Sequence, residues 1–68
     1  MNQPWLKGKW NEYKGKAKEH WSKLSDDDIG RVEGRRDQLV GLVQQRYGRS
    51  REQAEKDLDA WEKEIGLR

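Results

Sequence analysis

The sequence predicts an all-α fold, one small domain over residues 1–68 made of about four short helices with no strands. Three observations carry that expectation. Apolar residues recur at steps of three and four along much of the chain, which is the period of a helix. Ser25 and Ser50 each stand three residues before a side chain able to bond back to the serine's own backbone, Asp28 and Gln53, the arrangement of a capping box. No stretch alternates apolar with polar residues as a half-buried strand would.

The segment Gly34–Gly48 holds Leu39, Val40, Leu42 and Val43, the only dense aliphatic run in a very polar chain. On a helix Leu39, Val43 and Tyr47 share one face, and Val40 widens it. Gly48 follows Tyr47 where a left-handed residue commonly ends a helix. This is read as the central helix, onto which the other segments fold.

Before it, Pro4 suits a first helical turn. From about residue 5 to about 23, Leu6, Trp10, Tyr13, Ala17, Trp21 and Leu24 fall within a stripe roughly 80° wide. Lys9, Lys16 and Lys23 flank the stripe on one side, and Lys7, Lys14 and Lys18 on the other. Glu12, Glu19, Gly8 and Gly15 look outward, the glycines without an evident packing reason. Ser25 opens a short second helix, helped by Asp26 and Asp27 at its positive end. Ile29 and Val32 give that helix its apolar face, and it is expected to stop near Glu33. Ser50 opens the last helix, where Ala54, Leu58, Trp61 and Ile65 line one face and Gly66 closes it. The expected core is Trp10, Tyr13, Ala17, Trp21, Leu24, Ile29, Val32, Leu39, Val43, Tyr47, Ala54, Leu58, Trp61 and Ile65.

Charged residues at 41% and a mean hydropathy of −1.43 lean toward disorder, while four tryptophans and two tyrosines supply large areas to bury. A folded domain of modest stability reconciles the two. The net charge of +2 hides alternating blocks. Residues 1–24 are lysine-rich, 25–34 acidic, 35–51 arginine-rich and 52–68 acidic, which suits neighbouring segments that attract one another.

The residue types narrow the function. Without cysteine there is no disulfide, thiolate metal site or cysteine nucleophile, which fits a reducing compartment. No apolar stretch approaches a membrane span or the core of a signal peptide, so a cytoplasmic location is expected. His20, the only histidine, has no serine or cysteine partner motif, and no phosphate-cradling loop is present. Asp26, Asp27 and Asp28 lack the spacing of a calcium loop and are explained by a helix N-terminus. No enzyme, cofactor or metal is therefore expected.

The motifs W-N-E-Y-K-G-K-A-K-E-H-W at Trp10–Trp21 and K-L-S-D-D-D at Lys23–Asp28 resemble those of the CsbD-like family of small bacterial stress-response proteins. So do E-G-R-R-D-Q-L-V-G at Glu33–Gly41, Q-R-Y-G at Gln45–Gly48, and Q-A-E-K at Gln53–Lys56 with Trp61 after it. Ser22 departs from the glycine usual in the family, and Trp5 and Leu6 are less family-like. The resemblance implies four helices packed crosswise and induction under general stress. It brings no catalytic or ligand residues.

Three surface roles follow from the residues themselves. A nucleic-acid-associated module would use basic faces of the first and third helices, through Lys7, Lys14, Lys18, Arg35, Arg36 and Arg49. Lysines beside an apolar stripe would also suit an anionic membrane surface. A hydrophilin-like protective role needs no site at all. Solvated lysines around a buried stripe remain the simpler expectation, with the chain a monomer.

Overall fold

The computed structural model describes Leu6 and residues 8–67. Their secondary structure is four α-helices in one sequence-ordered arrangement: α1 Trp10–His20, α2 Asp26–Val32, α3 Arg36–Tyr47 and α4 Arg51–Glu64. No strand occurs among the described residues. Each helix packs on the next, and the ends of α1 and α4 come together where the Trp21 and Trp61 rings lie 5.2 Å apart.

Local chemistry sets most boundaries. Both capping boxes form: Ser25 Oγ accepts from the Asp28 N–H at 3.0 Å, and Ser50 Oγ from the Gln53 N–H at 3.1 Å. Gly48 ends α3 in the left-handed region at φ 64°, and Gly66 follows α4 at φ 86°. The turn after α2 takes two consecutive left-handed residues, Glu33 at φ 54° and Gly34 at φ 76°. Glycine accepts that conformation freely, whereas Glu33 bears a steric cost of roughly 1 kcal/mol.

The first helix is shorter than its periodicity suggests. It starts at Trp10 rather than near residue 5 and stops at His20 rather than near 23. Its N-cap, Lys9, offers no capping side chain, and Gly8 disfavours helix just before it. The Leu6 N–H instead donates to Gly34 O at 3.1 Å, and the Leu6 side chain is buried, so this segment docks on the α2–α3 turn. At the other end Lys18 Nζ donates to Leu24 O at 2.8 Å, holding the loop into α2. Pro4, Trp5 and Lys7 lie outside the described residues.

One core holds the molecule together. Of the expected core residues, Trp10, Ala17, Trp21, Leu24, Ile29, Val32, Leu39, Val43, Ala54, Leu58 and Trp61 are buried, while Tyr13, Tyr47 and Ile65 pack against them from partial exposure. Leu6 and Val40 join the buried set. The buried indole of Trp10 keeps its N–H satisfied by donating to Ile29 O at 2.8 Å, which ties α1 to α2. Gly15, Gly30 and Gly41 are exposed within helices, and a methyl group added at any of them would meet nothing within 4 Å.

Candidate functional site

The charged residues that the fold draws together form two ion clusters, each at a seam between neighbouring helices. The first joins α2 to α3. Asp28, buried on the first turn of α2, receives a two-pronged guanidinium from Arg46: Nε to Oδ2 and Nη2 to Oδ1, each 3.0 Å. The same carboxylate completes the capping box through the Ser25 N–H at 3.3 Å. The hydrogen bonds from Arg46, then from the Ser25 backbone, hold the Asp28 carboxyl down at about 2, against the partial burial that would raise it. The pairing raises Arg46 in turn, through its hydrogen bonds to Asp28. The helix N-terminus alone therefore does not account for Asp28, whose second partner lies eighteen residues away.

The second cluster joins α3 to α4. Arg36 Nε donates to Glu62 Oε2 at 3.0 Å, while Nη2 donates to Asp59 Oδ1 at 2.9 Å and to Glu55 O at 3.3 Å. The Glu62 side chain is only 5% exposed, so this charge is held almost out of solvent. Arg49, at the end of α3, pairs with Asp57 at 2.6 Å. Tyr47 adds a polar tie: its hydroxyl accepts from the Lys23 N–H at 3.0 Å, with the Lys23 ammonium 5.2 Å from its ring centroid.

These contacts locate each residue named for nucleic-acid contact. Arg36 and Arg49 are turned toward α4 and paired there. Lys18 is engaged with Leu24 O and lies 3.7 Å from Asp26. Lys14 and Arg35 are exposed, and Lys7 lies outside the described residues. Lys14 and Lys18 line one groove between α1 and α2, with Asn11, Gly15, Asp26 and Ile29. Arg36 and Arg49 are not part of that groove and pair with residues of α4.

His20 lies in an open groove between the ends of α1 and α4, with Lys16, Glu19, Trp61, Glu64 and Ile65. Its Nδ1 is 3.4 Å from Glu64, and its ring meets Trp21 edge-on at 4.5 Å. The hydroxyls of Ser25 and Ser50 are held in their caps, where each accepts a backbone N–H. Among the described residues no three histidine, cysteine or acidic side chains converge as metal ligands, and no helix is long and apolar enough to cross a membrane. The pairing of Arg36 with Glu62 and of Arg46 with Asp28 had only a coarse signal in the sequence, the alternation of basic and acidic blocks.

The fold is thus that of a small, highly charged, single-core helical protein whose ion clusters tie neighbouring helices together. The chain belongs to the CsbD-like family, which it matches over residues 6–56. It is 56% identical over 63 residues to UPF0337 protein YjbJ of Escherichia coli O6:H1, covering 93% of this chain and 91% of that one. It is 53% identical over 62 residues to the YjbJ of Escherichia coli K12, covering 91% and 90% respectively. With a UPF0337 protein of Bordetella pertussis the identity is 45% over 58 residues, covering 85% of this chain and 88% of that one.

Proposed function

We propose that this chain is a non-enzymatic bacterial general stress-response protein, acting in the cytoplasm as a compact, highly charged folded body. Its membership of the CsbD-like family carries the reading. The geometry supports it in two ways. Ser25 and Ser50 serve as caps, and His20 lies 3.4 Å from the surface carboxylate of Glu64. The buried aromatic and aliphatic groups form one core, which gives the protein a defined shape. The test is a deletion in the bacterium that encodes it, with protein level followed through stationary phase, heat and osmotic shock. Rising protein and reduced survival of the deletion strain are expected. Restoration by the intact gene, but not by a core-disrupted one, would tie the effect to the folded state. Constant protein level and unimpaired survival under all three stresses would refute the proposal.

Nucleic-acid association is the second candidate, favoured by exposed Lys14 and Arg35. It ranks lower because Lys18, Arg36 and Arg49 already hold partners within the chain. Duplex DNA titrated at low salt decides it: binding through these groups would weaken with salt by a log–log slope of about 0.9 per phosphate neutralised. Amide shifts confined to other residues, or no binding, would remove it.

A further inference from the structure

His20, the only histidine in the chain, sits where the run of helices closes on itself. The seams between consecutive helices are fastened by other kinds of group. Between α1 and α2 the Trp10 indole donates to Ile29 O, and the Lys18 ammonium holds Leu24 O. Between α2 and α3 Arg46 grips Asp28, whose carboxyl titrates at about 2. Between α3 and α4 Arg36 and Arg49 hold carboxylates. Guanidinium, ammonium and carboxylate groups ordinarily keep their charge between about pH 5 and pH 8. The seam of α1 on α4 differs. It brings together the last residue of each helix, with His20 Nδ1 3.4 Å from Glu64 Oε1. The His20 ring also stands edge-on to Trp21 at 4.5 Å, and Trp21 lies 5.2 Å from Trp61. Lys16 and Glu19 of α1, of opposite sign, are the other charged groups lining this groove.

We propose that His20 and Glu64 form a latch between α1 and α4, which closes when the imidazole takes up a proton and loosens when it gives the proton up. Histidine is the side chain whose charge ordinarily changes between about pH 5 and pH 8. A neutral imidazole offers Glu64 at most one long hydrogen bond across 3.4 Å. An imidazolium offers a full charge as well, and both helix ends gain from it. His20 lies at the electronegative C-terminal end of α1, where a cation is favourable. Glu64 lies at the same end of α4, where an uncompensated anion is unfavourable. One proton relieves both. Carboxylates ordinarily stay ionised down to about pH 4.5, and imidazoles are mostly charged below about 6.5, so the latch is set between those limits. Its contribution is lost as pH rises through the histidine range. The side chains are 36% and 66% exposed, so solvent holds the effect to about two- to fivefold in the closing equilibrium of this seam. Loosening frees the end of α1 and uncovers Trp21 and Trp61, which are 4% and 1% exposed in the closed form. The protein thereby offers more apolar surface on the alkaline side.

The test uses the full chain and does not depend on its cellular role. Amide hydrogen exchange, corrected for its intrinsic dependence on pH, follows local opening. The Trp21 N–H, which donates to Ala17 O at 2.8 Å, reports the end of α1, and the buried residue Val43 in α3 reports the whole domain. From about pH 5.5 to about pH 7.5, protection at Trp21 should fall about two- to fivefold relative to Val43. Screening weakens a partly exposed pair, so the fall should shrink in about 1 M salt. His20→Gln should abolish it, and Glu64→Gln should remove most of it. Protection at Val43 verifies that each variant stays folded, as expected for two surface substitutions. A wild-type ratio that does not change with pH would overturn the proposal. So would a fall that persists in His20→Gln, by assigning it to another group, or one left whole in Glu64→Gln or in high salt, by removing the ion pair as its cause.

Discussion

Replacing Arg36 with methionine removes a charge while keeping most of an unbranched stem, and so isolates what the guanidinium contributes. Its bond to Asp59, a carboxylate 45% exposed, is worth about 0–1 kcal/mol after solvent screening. The Glu62 pair decides the outcome, because that side chain is 5% exposed and loses a 3.0 Å charge-assisted bond. Breaking a fully buried pair costs about 3–5 kcal/mol. Arg36 is itself 27% exposed, so Arg36→Met should cost less, about 2–3 kcal/mol. In a domain of this size that lowers the melting temperature by roughly 10–20 °C. Urea unfolding followed by tryptophan fluorescence measures it, since Trp10, Trp21 and Trp61 are all buried. Adding Glu62→Leu should recover part of that loss, because the buried carboxylate deprived of the guanidinium is then removed as well. If Arg36→Met cost under about 0.5 kcal/mol, or the second substitution brought no recovery, the pair would not be fastening α3 to α4.

Trp61→Ala or Trp21→Ala should cost about 3–5 kcal/mol, enough to unfold so small a domain; unchanged cooperative melting in both would refute the packing of α1 on α4. Gly15→Ala should stabilise by about 0.5–1 kcal/mol, since the new methyl meets open space and alanine favours helix; a lower melting temperature would count against an open outer face of α1. The folded carboxyl of Asp28 titrates at about 2, below its ordinary 3.8, so it contributes stability above 3.8 that is lost as pH falls through about 2. Asp28→Asn should flatten that part of the acid-unfolding curve, and an unaltered acid limb would show that the Arg46 fork does not form.

Much of the architecture could be read before any coordinates. The caps at Ser25 and Ser50, the left-handed stop at Gly48 and the apolar faces of the helices all involve residues within a few positions of one another. Such contacts are encoded in spacing. The first helix fails that reading at both ends for a related reason. Its stripe runs on through Leu6 and Leu24, and both are indeed buried, but they reach the core from turns. Periodicity reports which side chains face inward, not whether the backbone joining them is helical. The Leu6–Gly34 and Lys18–Leu24 hydrogen bonds decide that in three dimensions.

The candidate surface divides along the same line. Alternating charge blocks implied that basic segments would find acidic ones, yet not which arginine would meet which carboxylate. Arg36 looked as available to a phosphate as Arg35, and only the packing of α3 on α4 turns it to Glu62 and Asp59. By itself the sequence determined the helices, their caps and the residues of the core, because those follow from interactions within a turn or two. Tertiary structure alone decided where α1 begins and ends, and which charges are spent inside the molecule. The ion pairs join partners eighteen or twenty-six residues apart, brought within about 3 Å by the closing of the core.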